Sequence, residues 1–195
     1  MLPKKKNKKF DDLIRTATEL FFRYGTKRVS IEEICKKASV SKVTLYKHFK
    51  NKNDIVIYII QEMFAEGIYD FEAKMRENIP FVEKVKWLIH FKIEKARNYG
   101  DEFFAEIMQS DGELRSTLIQ KNSEIMDLVN EFYQKGIKEE VFRRSLTPEI
   151  MMIFSDNLIQ LFNSDRLKSS LPDIHKRYEA IINYYFYGIM NRIEQ

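Results

Sequence analysis

One cysteine, four prolines and six glycines among 195 residues leave little material for several kinds of protein. The lone Cys35 forbids an intramolecular disulfide and argues against a disulfide-framed secreted scaffold. Too few turn residues, and no β-type alternation of any length, argue against a sandwich or barrel. Long apolar runs are missing as well. The longest, Ile55 to Ile60, is far too short to span a bilayer. No apolar stretch follows the N-terminal lysines, as a signal peptide requires. There is no Gly-rich phosphate loop, no Cys pair, no G-x-S-x-G and no H-E-x-x-H. A soluble, cytoplasmic protein that is not an enzyme and carries no cofactor or metal is expected.

What is present is helical spacing almost throughout, and the expected fold class is all-α with about nine helices. The first runs from about Lys9 to Tyr24, with Gly25 as its stop signal. Two short helices follow between Ser30 and Lys52. A long fourth helix, from about Lys52 to Glu77, takes Asn51 as N-cap. Its opening Ile55–Ile60 run is apolar nearly all round, so it must be covered on more than one side. Further helices are expected over 81–99, 101–109, 113–135 (stopped by Gly136), from Thr147-Pro148 to about Asn163, and from Pro172-Asp173 to near Arg192.

Charge is distributed unevenly. The formal net charge is only +4, yet residues 1–52 hold 15 Lys/Arg against 5 Asp/Glu, while residues 53–195 hold 18 against 24. A basic end on an acidic body points to nucleic acid at that end alone. The run Lys4-Lys5-Lys6-Asn7-Lys8-Lys9 suits an arm that neutralises phosphates without reading sequence.

The basic end contains the most specific pattern in the chain. Ile31, Ile34, Cys35 and Ala38 fall at i, i+3, i+4 and i+7, one apolar face of a two-turn helix. Ser30 and Glu33 form a capping box before it. Val40 plugs the corner after Ser39, Ser41 caps the next helix, and Leu45 and Phe49 give that helix a buried side. Lys42, Val43, Thr44, Tyr46, Lys47 and His48 are left facing out, which suits a major groove. Cys35, on the apolar face, reads as a small core residue. On residues alone, a surface hairpin with solvated lysines or a protein-binding module fits the same pattern.

Tyr24-Gly25, Val29-Ser30-Ile31-x-x-Ile34, Ala38-x-Val40-Ser41, Thr44-Leu45-Tyr46-x-His48-Phe49 and Lys52 together resemble the DNA-binding domain of TetR-family transcriptional regulators. The resemblance covers the first third of the chain. Val43 departs from it, standing where Gly or Ala often precedes the Thr. Further on, Gly136-Ile137…Phe142 is a weaker echo, with Glu140 where a second Gly is usual. The resemblance implies a helix-turn-helix domain over residues 1–68 and an effector-binding and dimerisation domain over 69–195. It also implies a homodimeric regulator, a repressor by expectation, on a palindromic operator in double-stranded DNA. Lys42, Val43 and Thr44 are the expected base readers; Ser30, Tyr46 and Lys52 are expected at phosphates, and Ser41, Lys47 and His48 belong to the same surface. A non-specific or architectural DNA-binding protein without ligand control is the alternative.

The body offers two further sets. Trp87, His90, Phe91, Glu94, Phe103, Phe104, Met108, Met126, Met152 and Asn157 mix aromatics, adaptable methionines and a few polar groups. That mixture suits a small-molecule pocket for a largely apolar effector, although an aromatic stripe at helical spacing equally suits a core. His90 and Glu94 stand at i, i+4, but two such groups make a weak metal signal. In the last two helices, Phe154, Leu158, Leu161, Tyr178, Ile182, Tyr185, Phe186 and Ile189 are the expected subunit interface. The resemblance places dimerisation there.

Overall fold

The computed structural model describes residues 8–191. The lysine arm before Lys8 and the expected helix end at Arg192 lie outside these residues. Eleven helices are described: α1 Lys8–Tyr24, α2 Ile31–Lys37, α3 Lys42–Tyr46, α4 Lys52–Arg76, α5 Phe81–Arg97, α6 Asp101–Met108, α7 Gly112–Glu124, α8 Met126–Lys138, α9 Pro148–Asn163, α10 Asp165–Ser170 and α11 Ile174–Ile189. The fold is all-α. The one β feature among the described residues is an isolated bridge between Phe142 and Met190.

The chain forms two compact units. The first contains residues up to Gly67 together with Tyr99–Thr117; the second contains Ile68–Asn98 and the residues from Leu118 onward. In the first unit, Leu13, Ala17, Leu20 and Phe21 of α1 pack inward with Ile34 and Cys35 of α2, Leu45 and Phe49 around α3, and Ile55 and Ile59 of α4. Burying such side chains stabilises by about 1.5–3 kcal/mol each. α6 lies against α1, where Phe103 meets Phe22 with ring centroids 4.8 Å apart. Gly100 permits this approach: its amide donates to the Phe22 carbonyl at 2.6 Å, and a Cβ there would stand 2.7 Å from that same oxygen.

In the second unit α5 packs mainly on α11. Phe81, Val85, Leu88, Ile89 and Ile93 share a core with Phe132, Phe142, Met151, Ile182 and Phe186. One polar chain crosses it. Tyr185 donates its hydroxyl to the Met151 carbonyl at 2.6 Å, which leaves Tyr133 to donate to Tyr185 at 2.5 Å. Burial pushes the Tyr133 phenol up to about 12 and raises Tyr185 further.

Four boundaries differ from expectation. The helix expected over 113–135 is two helices, broken at Ile125. α7 has no buried residue, so no core face enforces a continuous register across the break. Gly136 lies inside α8 and does not stop it. A Cβ at Gly136 would stand 2.1 Å from a Phe142 ring carbon, so packing explains the glycine. α10 was not foreseen because it is six mostly polar residues, capped by Ser164 accepting from the Leu167 amide. The last helix ends at Ile189 because Met190 turns extended into the bridge with Phe142, fixed by Arg143 donating to the Ile189 carbonyl and Asn191 to that of Val141, both at 2.9 Å.

Candidate nucleic-acid interface

The interface is built by a short-range logic of caps. Ser30 stands extended before α2 and its Oγ accepts from the Glu33 amide at 3.1 Å. Ser41 does the same for α3, accepting from the Thr44 amide at 3.1 Å. Asn51 accepts from the Asp54 amide at 3.0 Å, while the Asp54 carboxylate takes the Lys50 amide at 2.8 Å. Each bond satisfies a donor that a helix start would otherwise leave orphaned.

The corner between α2 and α3 is a Schellman motif. The Val40 amide donates to the Cys35 carbonyl at 3.0 Å and the Ser39 amide to that of Lys36 at 3.3 Å. Ser39 takes the left-handed conformation, φ 54°, that such a motif requires. Val40 then buries itself in the corner. Gly25, φ 79°, makes the same kind of stop after α1.

On α3, Leu45 is fully buried and Phe49, just past the helix, is nearly so, which fixes the opposite side outward. Val43 is 69 % exposed and Tyr46 51 %; Lys47 is exposed as well. The other expected contacts are more committed. Lys42 pairs with Glu32 across the α2–α3 corner. Hydrogen bonding to Lys42 holds the Glu32 carboxyl below its usual range, and the same bond raises Lys42. The Thr44 hydroxyl lies 2.9 Å from that of Ser41. His48 turns toward Phe10, ring centroids 4.8 Å apart. The Lys52 ammonium donates to the Val29 carbonyl at 3.0 Å and to that of Lys27 at 3.4 Å, leaving one of its three N–H groups uncommitted. Cys35 is buried, and desolvation raises its thiol. That is the state of an inert core thiol.

Sequence reasoning missed Glu106. Its carboxylate, on α6, accepts from the Thr26 amide at 2.6 Å, the Thr26 hydroxyl at 2.7 Å and the Lys27 amide at 3.2 Å. A Cβ on Gly25 would come within 3.0 Å of Glu106 Oε1. The turn leading into the helix-turn-helix is therefore clamped by a side chain some eighty residues away. No local pattern signals such a bond.

The expected effector residues are divided between the units. Phe103, Phe104 and Met108 belong to the first, and the other seven to the second. Phe103 and Phe104 are buried in the first unit's packing. Trp87 stacks on Phe91 at 4.7 Å, with Lys74 Nζ 5.5 Å above Trp87. His90 is exposed, and Glu94 pairs with Arg97 at 2.6 Å. Met126 lies exposed at the start of α8, and Met152 packs against the second core. Asn157 donates to the Ile153 carbonyl at 2.7 Å. An open cleft of about 410 Å³ lies elsewhere, between α1 and α4, lined by Phe10, Asp12, Arg15, Tyr58 and Glu62 among others.

Of the expected interface residues, Ile182, Tyr185, Phe186 and Ile189 face the second unit's own core, and Leu158 and Tyr178 pack against it. Phe154 and Leu161 remain exposed, beside Ile153 on α9, and on α11 Tyr184 and Tyr187 are exposed at 75 % and 57 %.

Residues 13–59 match the bacterial regulatory proteins of the tetR family. The fatty acid metabolism regulator protein of Bacillus subtilis (strain 168) is 28 % identical over 160 residues, covering 77 % of this chain and 80 % of that protein. Among solved structures, the fatty acid degradation regulator FadR from Bacillus halodurans matches with a TM-score of 0.68 and 25 % identity, over 95 % of this chain and 98 % of that one. FadR from Bacillus subtilis, solved in complex with stearoyl-CoA, matches with a TM-score of 0.65 and 22 % identity, over 92 % and 99 %. Among the described residues no helix is long and apolar enough to cross a membrane. With an outward-facing α3 set by two serine caps and a buried Leu45, and with these relatives, the chain belongs to the tetR family of helix-turn-helix transcriptional regulators.

Proposed function

We propose that the protein is a homodimeric repressor of the cytoplasm that binds a palindromic operator and is released by a small molecule with a long apolar part. The observation that carries this reading is α3, anchored by Leu45 and presenting Val43, Tyr46 and Lys47 outward. Val43 and Thr44 read base edges with Lys42. Tyr46, Lys47 and the remaining donor of Lys52 hold phosphates, aided by the hydroxyls of Ser30 and Ser41. His48, against Phe10, steadies the end of the reading surface. DNA reading falls to residues 1–68, and effector and subunit contacts fall to 69–195, with α6 the part that packs onto α1.

The pairing of two copies uses the exposed apolar edge of α9 and α11, including Phe154, Leu161, Tyr184 and Tyr187. A two-fold dimer sets two α3 helices about one helical turn of DNA apart, roughly 34–36 Å. The effector acts by shifting α4. That helix begins among buried Ile55, Val56, Ile59 and Ile60, and near its end the Met75 carbonyl is held by Lys84 at 2.7 Å. Release requires that the effector bind one arrangement better than the other.

The expected effector class comes from the relative solved with stearoyl-CoA. Gel-shift competition tests the reading directly. A palindrome from the intergenic DNA beside this gene should bind far more tightly than random duplex at moderate salt, and stearoyl-CoA should release it. Equal affinity for random duplex overturns the operator reading in favour of an architectural protein, and a complex indifferent to acyl compounds overturns the effector class.

A further inference from the structure

Two lysines lie on the inner side of α5, and they are satisfied very differently. Lys84 is only 4 % exposed, and its ammonium donates to the Met75 carbonyl. Lys92 stands two turns further along. At 100° per residue it falls in the middle of the arc marked by Phe81, Val85, Leu88, Ile89 and Ala96, all buried. A lysine ordinarily sits at the edge of such a face, where its stem covers apolar surface and its head reaches water. The centre of the face is where a charge loses most hydration. Burial lowers the Lys92 pKa, and no neighbouring charge offsets the effect.

Among the described residues no carboxylate or carbonyl pairs with the Lys92 ammonium. The side chain nonetheless keeps part of its surface accessible. It is deep in the second unit and still borders open space, so it faces a crevice in the apolar layer and is not close-packed. The neighbouring walls on α5 are aliphatic, from Leu88, Ile89 and Ala96. An aliphatic crevice with one unpaired cation is complementary to an apolar body carrying a negative group. The outer side of α5, with Trp87, Phe91 and Glu94, offers no such combination: its cations already lie over rings or against carboxylates.

We propose that Lys92 is the counter-cation for the anionic group of an amphiphilic ligand whose aliphatic body lies along Leu88, Ile89 and Ala96. This rests on the effector reading and names the ligand chemistry that reading leaves open. The anion is the carboxylate of a free long-chain acid or a phosphate of its coenzyme A thioester, and both put negative charge beside an aliphatic chain.

The test is isothermal titration of the full-length protein, wild type, Lys92→Met and Lys92→Arg, with dodecanoate, dodecanoyl-CoA and dodecanol. Lys92→Met removes the charge and keeps an apolar stem of similar length. It should weaken binding of an anionic probe at least about tenfold, as losing a charge-assisted hydrogen bond implies. Dodecanol affinity should hold or rise, and Lys92→Arg should retain most of the anion affinity. A loss confined to dodecanoate identifies the carboxylate, and one confined to dodecanoyl-CoA identifies the phosphates. Unchanged anion affinity in Lys92→Met, a parallel loss of dodecanol, or no binding of any probe to wild type overturns the proposal. Operator release, read separately by fluorescence anisotropy, keeps the two readings apart. A Lys92-dependent anion that never releases DNA supports this site and defeats the effector reading. Release by dodecanoyl-CoA at undiminished affinity in Lys92→Met does the reverse.

Discussion

Ser39 and Glu140 hold equivalent places in two Schellman motifs. Each carries a positive φ, 54° and 58°, at the position after a helix where glycine is favoured. After α8 the Val141 amide bonds the Gly136 carbonyl at 2.9 Å and the Glu140 amide that of Ile137 at 3.1 Å, repeating the geometry at Val40 and Ser39. Left-handed backbone costs an L-residue about 1–2 kcal/mol, part of which glycine gives back as chain entropy. Ser39→Gly should therefore raise stability by about 0.5–1 kcal/mol, measured by urea denaturation, with operator affinity unchanged. A drop in stability would show that the Ser39 side chain has a role the backbone does not reveal. The caps at Ser30, Ser41 and Asn51 were legible in sequence because each bond spans three residues. The left-handed turn at Glu140 was legible only as a departure from the family pattern, and Lys92 was not legible as exceptional at all. On a helix of mixed composition, which lysine lies mid-face becomes evident only once the neighbours' burial is known.

At the scale of elements, α6 shows how far function can sit from its signal. Its Phe103 and Phe104 read equally well as pocket or core from spacing alone, and both are buried in the first unit. Its Glu106 closes three hydrogen bonds on Thr26 and Lys27, a relation that no periodicity encodes. Buried or part-buried hydrogen bonds to a charged acceptor are worth about 1.5–3 kcal/mol each before compensation. Glu106→Ala should lower the melting temperature by several degrees and speed hydrogen exchange at the Thr26 and Lys27 amides, while the amides of α11 stay protected. Uniformly faster exchange would instead mean that the clamp supports the whole fold. α8, α9 and α11 are tied by the Tyr133–Tyr185–Met151 chain, which yields a pH expectation. Unfolded tyrosines ionise near pH 10, whereas Tyr133 in the fold stays protonated to about 12 and Tyr185 beyond that. Between those limits the unfolded chain binds fewer protons, so stability present below pH 10 is lost as pH rises through about 10–12. Tyr133→Phe should flatten that loss in alkaline melts, and an unaltered slope would remove Tyr133 from the account.

For the whole molecule, the sequence marked the last two helices as a subunit surface, but their heptad-like stripe conflated two faces. The buried face of α11, with Ile182, Tyr185 and Phe186, serves the protomer, and the exposed aromatic edge is what remains for a partner. Only three-dimensional packing separates them, since both lie on apolar positions of one helix. Phe154→Glu combined with Tyr187→Glu should therefore give folded monomers by light scattering and abolish palindrome binding, with the second unit's core intact by circular dichroism. A stable dimer from that variant would place the interface elsewhere. The Glu106 clamp bears on how long each copy survives. Lys27 and Arg28 form an exposed basic pair immediately after the clamped Thr26, an attractive cleavage point wherever local chain opening admits a protease. A regulator with the clamp shut hides that site in a fixed turn, so the carboxylate that orders the turn also sets its abundance through turnover.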